Sequence, residues 1–215
     1  GGFIETSAHK VKVADGAIIS TRSTRGKSGL WLIDPRDFTI AASGGDITGS
    51  TLSSNLGSGN VQILSANGTS GTSGDINVND VVNWSTSTTL TLSAANNINI
   101  NANITATGNT AGLKLFSGGS DASNGGFDAA LVNLASGKSI TLSGSNPTLY
   151  IRNVQYTVIN SLGGQGSTSG TDLQGMQGDL GGHYALGTDI DASATSTWNS
   201  GAGLSPVGGR DSGGG

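Results

Sequence analysis

Asn97-Ile98-Asn99-Ile100-Asn101-Ala102-Asn103-Ile104 alternates amide and apolar side chains without interruption. A β-strand sends successive side chains to opposite faces, whereas a helix returns to the same face about every 3.6 residues. Ile98, Ile100, Ala102 and Ile104 therefore share one face, and the four Asn share the other. Asp75-Ile76-Asn77-Val78-Asn79 repeats the pattern one unit earlier.

Working outward from this stretch, short alternating runs closing on a small residue recur along the chain. They are Lys10 to Ala14, Asp37 to Ala41, Gln62 to Ser65, Leu90 to Ser93, Lys114 to Ser117 and Ile140 to Ser143, and their closing residues are 27, 24, 28, 24 and 26 positions apart. Gly45-Asp46-Ile47 and Gly74-Asp75-Ile76 follow two of the runs, and Asn97-Ile98 takes the equivalent place after a third. Gly-, Ser- and Asn-rich breaks at 43–45, 67–74 and 118–126 read as turns, where Gly supplies positive φ. A fixed period holding two or three strands of about five residues predicts an all-β parallel β-helix, or β-solenoid, with coils of about 26 residues. The alternative is a Gly-rich β-sandwich or jelly roll, which offers no reason for the recurrence.

Composition fits a narrow core. Of 215 residues, 34% are hydrophobic, 5% aromatic and 37 are Gly. The Gly follow no third-residue period and only 3 Pro accompany them, which excludes collagen. A net charge of −4 does not suit a self-repelling disordered chain. No run of 18 apolar residues is present to span a membrane as a helix. The absence of Cys excludes disulfide staples and thiolate metal sites. The opening Gly1-Gly2-Phe3-Ile4-Glu5 has neither an initiator Met nor the pattern of a signal peptide, so the chain is expected to be a piece cut from a longer one, or a processed one.

Gly1-Gly2-Phe3-Ile4-Glu5-Thr6-Ser7, the block from Gly29 to Ile40 containing Trp31, Asp34, Pro35 and Phe38, and Gly45-Asp46-Ile47 resemble large bacterial exoproteins of the filamentous haemagglutinin type. The resemblance covers roughly residues 1–160. It implies a right-handed parallel β-helix shaft in a secreted, cell-surface adhesin, exported through an outer-membrane partner pore (two-partner secretion). The run from His183 to Asp191, with Trp198 and Pro206-Val207-Gly208, is similar to the GLUG repeat of bacterial surface proteins. That repeat continues beyond its Pro-Val-Gly, so the expectation is a shaft over 1–160 followed by a truncated GLUG-like region over 161–215.

The chemistry-bearing residues are sparse. His9 and His183 are far apart and have no second imidazole nearby, whereas a triad or metal site needs convergent groups. Asp189 and Asp191 share a strand face, yet no calcium-binding loop pattern surrounds them. Glycoside cleavage requires a pair of carboxylates, but from Ile76 to Thr110 the only ionisable side chain is Asp80. Gly26-Lys27-Ser28 lacks the first Gly of a phosphate-binding loop. No catalytic, cofactor-binding or metal residue is assigned, and the chain is not expected to be an enzyme.

Charge is asymmetric: residues 1–36 carry six bases and three acids, the remainder four bases and eleven acids. Arg22, Arg25 and Lys27 are the candidate contacts for an anion or a sulfated glycan. Nucleic acid is not expected, because no aromatics interleave with the bases. Trp31 and Trp84 fall in apolar runs and read as packing residues. The expected function is a structural shaft segment presenting binding regions for attachment. The alternatives are a module binding host-cell or surface glycans and, less favoured, a β-helix polysaccharide-degrading enzyme. End-to-end self-association through uncapped strand edges is also expected.

Overall fold

Alternation places an apolar side chain at every second position, and parallel pairing in register stacks those positions into columns. The computed structural model describes residues 1–23, 25–65, 74–118 and 131–208. It divides into two compact units between Gln155 and Tyr156. The first contains β1 (Phe3–Ser7), β2 (Leu30–Asp34), β3 (Phe38–Ile40), α1 (Gly49–Leu56), β4 (Asn60–Leu64), β5 (Ile76–Val78), β6 (Val82–Trp84) and β7 (Thr89–Ala94). It continues through β8 (Ile98–Ile100), β9 (Ile104–Ala106), β10 (Gly112–Ser117), β11 (Val132–Leu134), β12 (Ile140–Leu142) and β13 (Thr148–Ile151).

These strands form three parallel sheets. The longest runs β1-β2-β4-β7-β10-β13, the second β3-β5-β8-β11 and the third β6-β9-β12. In the longest sheet Trp31, Val61, Leu90, Leu113 and Leu149 make one buried column, and Ile33, Ile63, Leu92 and Leu115 the next. Phe38, Ile76 and Ile98 stack likewise in the second sheet, and Val82 and Ile104 in the third. Burying such side chains contributes about 1.5–3 kcal/mol each before ordering costs. The turn leading from the third sheet to the first is equally tight. A Cβ on Gly108 would collide with the Thr86 carbonyl oxygen, and one on Gly144 with the Gly108 carbonyl oxygen, so layers stack there backbone on backbone.

The expected all-β, right-handed parallel β-helix with coils of about 26 residues is corrected to a mixed α/β architecture. The described residues include α1 and two 3-10 segments besides the sheets, and pairing offsets are not uniform. Ile76 pairs with Ile98, 22 residues on, while Asn133 reaches Asn99 across 34. Phe38 pairs with Ile76, since α1 and β4 intervene. The apparent period arose from aligning runs that belong to different sheets: Asp37 to Ala41 falls in the second, Ile140 to Ser143 in the third, and the others from Gln62 onward in the first. Lys10 to Ala14 forms no strand; Val13 instead donates its N–H to the Asp46 carbonyl at 2.7 Å. Gly45-Asp46-Ile47 is also not equivalent to Gly74-Asp75-Ile76, because Ile47 bridges Ile40 at the outer edge of β3. Most of the breaks expected at 67–74 and 118–126 lie outside the described residues.

In the second unit, the remainder of β14 (Val154–Ile159) pairs in parallel with β15 (Tyr184–Leu186), Thr157 opposite Tyr184. Between them comes a 3-10 turn, Gln174–Gly178, that stops before the exposed Leu180. A second 3-10 segment, Ser193–Gly201, breaks at Trp198 to Ser200, where Asn199 and Ser200 adopt positive φ.

Candidate functional site

The third sheet ends at β6, and α1 lies along that edge. Thr48 caps the helix by accepting the Thr51 N–H at 3.3 Å. The Asp80 carboxylate accepts the Gly49 N–H at 2.8 Å, placing a negative charge at the positive end of the helix. Ser53 Oγ donates to the Gly49 carbonyl and accepts the Asn83 N–H, so a side chain occupies a donor the strand edge would otherwise leave open. On the buried side Asn55, 1% exposed, donates to the Ala17 and Thr51 carbonyls and accepts the Ile19 N–H at 2.7 Å. Leu52 and Leu56 are fully buried beside it.

Between α1 and the outer face of β6 and β9 runs an open groove of about 490 Å³. Asn83 and Ser85 contribute from the first strand and its continuation, Thr105 and Thr107 from the second, and Ser54 and Gly57 from the helix side. Asn83 lies opposite Thr105, and Thr107 N–H donates to the Trp84 carbonyl at 3.0 Å. Strand pairing sets the Asn83 and Thr105 side chains about 4.8 Å apart, and Ser85 and Thr107 follow just beyond the strand ends. Ser54 Oγ is engaged by the Ser50 carbonyl and Thr86 Oγ1 by that of Leu56. The Asn83 carboxamide and the Ser85, Thr105 and Thr107 hydroxyls have no hydrogen-bond partner among the described residues. Trp84 at the groove is core, its indole N–H donating to the Thr88 carbonyl at 3.1 Å.

Amide side chains also form a ladder on the outside of the second sheet. Asn133 donates to Asn99 and Asn99 to Asn77, each at 2.9 Å, and Asn101 donates to Asn79 at 2.8 Å. Asn99 and Asn101 belong to the alternating stretch, here partnered between strands rather than presented singly to solvent.

Arg22, Arg25 and Lys27 are exposed on the segment that precedes β2; Thr24 between them lies outside the described residues. Arg22 approaches the Gly57 carbonyl at 3.4 Å, at the C-terminal end of α1 where a cation is favoured. That contact brings it beside a residue lining the groove, whereas no contact joins the three basic side chains to one another among the described residues. Sequence reading missed the groove, because its walls come from segments about 30 residues apart. Thr48 followed by Leu52 and Leu56 was the available signal for the helix.

His9 is exposed, and His183 packs edge-on against Tyr156 with ring centroids 5.8 Å apart. Asp189 is exposed, and Asp191 accepts the Ser193 N–H at 2.9 Å, a turn contact that with the Ser193 hydroxyl lowers its pKa. Among the described residues no cluster of His, Asp or Glu is arranged to hold a metal. Asp172 instead ties a loop: partial burial raises its pKa, but hydrogen bonds from Ser169, Ser167 and the Gly175 N–H outweigh this and hold it below the ordinary value of 3.8. The buried Gln174 clamps Ser205 from both sides, accepting its N–H at 3.1 Å and donating to its carbonyl at 3.3 Å.

Fold and site together define a protein of stacked parallel strands, with a helix closing one sheet edge and an uncharged polar groove beside it. No protein family, curated protein or solved structure matches the chain in comparisons with known proteins.

Proposed function

We propose that this chain is a structural segment of a large secreted or surface-exposed bacterial adhesin, a spacer that holds binding regions away from the cell. The observation that carries the reading is the in-register stacking of the first unit, in which buried apolar columns run through successive strands of three parallel sheets. Backbone pairing and the Asn ladder run in that same direction, so a load along the stack is shared among rows of hydrogen bonds. The haemagglutinin-type resemblance supports the same reading, and with it export of the parent chain through an outer-membrane partner pore.

Pulling the chain by its two ends in an optical trap tests this. The first unit is expected to resist at higher force than the second and to give way strand layer by strand layer. Rupture of the first unit at or below the force that opens the second would overturn the spacer reading. The same proposal includes end-to-end association, because β1 pairs only with β2 among the described residues and its Phe3 is 61% exposed. A mass in analytical ultracentrifugation that does not rise with concentration would remove that part.

A further inference from the structure

We infer that the groove between α1 and the β6/β9 face binds a neutral oligosaccharide. The inference rests on the chemistry of its lining and needs no spacer function. No lining residue is ionisable, and Arg22 at the helix end is turned onto the Gly57 carbonyl, so the lining itself offers an anionic ligand no charge-assisted partner. An extended peptide would need a free strand edge, but the Asn83 N–H of β6 is already taken by Ser53 Oγ at 2.9 Å. An apolar ligand would strip water from the Asn83 carboxamide and the Ser85, Thr105 and Thr107 hydroxyls without replacing its hydrogen bonds. A sugar hydroxyl both donates and accepts, as do these groups collectively, and Asn83 and Thr105 present theirs side by side at strand spacing. A volume of about 490 Å³ falls within the range of small-ligand sites. The α1 wall bounds this sheet face on one side and makes it a trough.

The test is an array of immobilised neutral oligosaccharides (gluco-, manno-, galacto- and xylo-configured) beside sulfated and uronic ones, with hits measured by titration calorimetry. The 215-residue chain is compared with Asn83→Ala/Thr107→Ala and with Arg25→Glu/Lys27→Glu, which leaves the Arg22 contact to the groove-lining Gly57 in place. Asn83 and Thr107 are exposed, and thermal melts by circular dichroism verify that both variants fold. A neutral glycan is expected to bind, about tenfold or more weaker in the groove variant after loss of two polar partners. The charge-reversed variant is expected to bind it as the parent does. Raising salt from about 50 mM to about 500 mM should change little, since no charge is screened. Absence of any neutral hit, or unchanged binding in the groove variant, would overturn the inference. Salt-sensitive binding of sulfated glycans only, lost on charge reversal, would also overturn it and place recognition on the Arg22–Lys27 segment. Either result is separable from the trap experiment, which reads mechanical resistance alone.

Discussion

The two units are built from opposite materials. Nearly every buried apolar side chain belongs to the first, whereas Ile159 is the buried apolar residue of the second among those described. The second is fastened by polar clasps instead: Asp172 on its serines, Gln174 on Ser205, and Asn199 donating to the Gly203 carbonyl at 2.8 Å. Apolar burial is non-directional and sums over many contacts, whereas each such clasp contributes on the order of 1 kcal/mol and depends on geometry. The first unit should therefore be the more stable and the second the first to open.

Four changes sharpen or break this contrast. Ile98→Ala, in the middle of a stacked column, is expected to cost about 2–5 kcal/mol by chemical denaturation while leaving exchange protection in the second unit unaltered. A loss confined to less than about 1 kcal/mol would mean the columns do not carry the first unit. Gln174→Ala leaves both backbone groups of Ser205 unpaired and should cost about 1–3 kcal/mol locally, seen as faster proteolysis within residues 156–208 and no change before them. Asn99→Ala, which cuts the ladder at its centre, should destabilise the first unit by about 1 kcal/mol. A double-mutant cycle with Asn77→Ala then measures how far the rungs act together.

The smallest effect concerns pH. Because the Asp172 carboxyl is held below its unfolded value of 3.8, its stabilisation is fully present above that value and is lost as pH falls through the lower folded pKa. The group is largely solvated, which keeps the effect small. The protection factor of the Gly175 amide, its exchange rate by NMR referred to the intrinsic rate at each pH, should fall across that window in the parent chain, whereas in Asp172→Asn it should not change there. A fall in protection of the same size in the variant would take the clasp away from Asp172.

Much of the strand pattern was readable because alternation is local. The runs around Ile76, Leu90, Ile98, Ile104 and Leu115 become β5, β7, β8, β9 and β10, with these apolar side chains inward. The equivalence of Ile76 and Ile98 was also legible from their Asp75 and Asn97 neighbours, and Asp75 Oδ1 does accept the Asn97 N–H at 2.9 Å. Sheet membership was not. A run in the first sheet and one in the third look alike, since both expose polar groups on one side and bury small or branched apolar ones on the other.

The helix was harder still. Gly49-Ser50-Thr51-Leu52-Ser53-Ser54-Asn55-Leu56 contains few residues that favour a helix. It forms one because Asp80, 31 residues away, receives its first N–H, and because Asn55 joins a segment 38 residues back. The groove exists only through that placement. What the sequence determined by itself was the alternation, the small-residue turns and the scarcity of ionisable groups, all properties of neighbouring residues. The tertiary structure decided which strands pair, where a helix stands at a sheet edge, and which hydroxyls and amides are left without partners, because those outcomes depend on contacts between residues far apart in the chain.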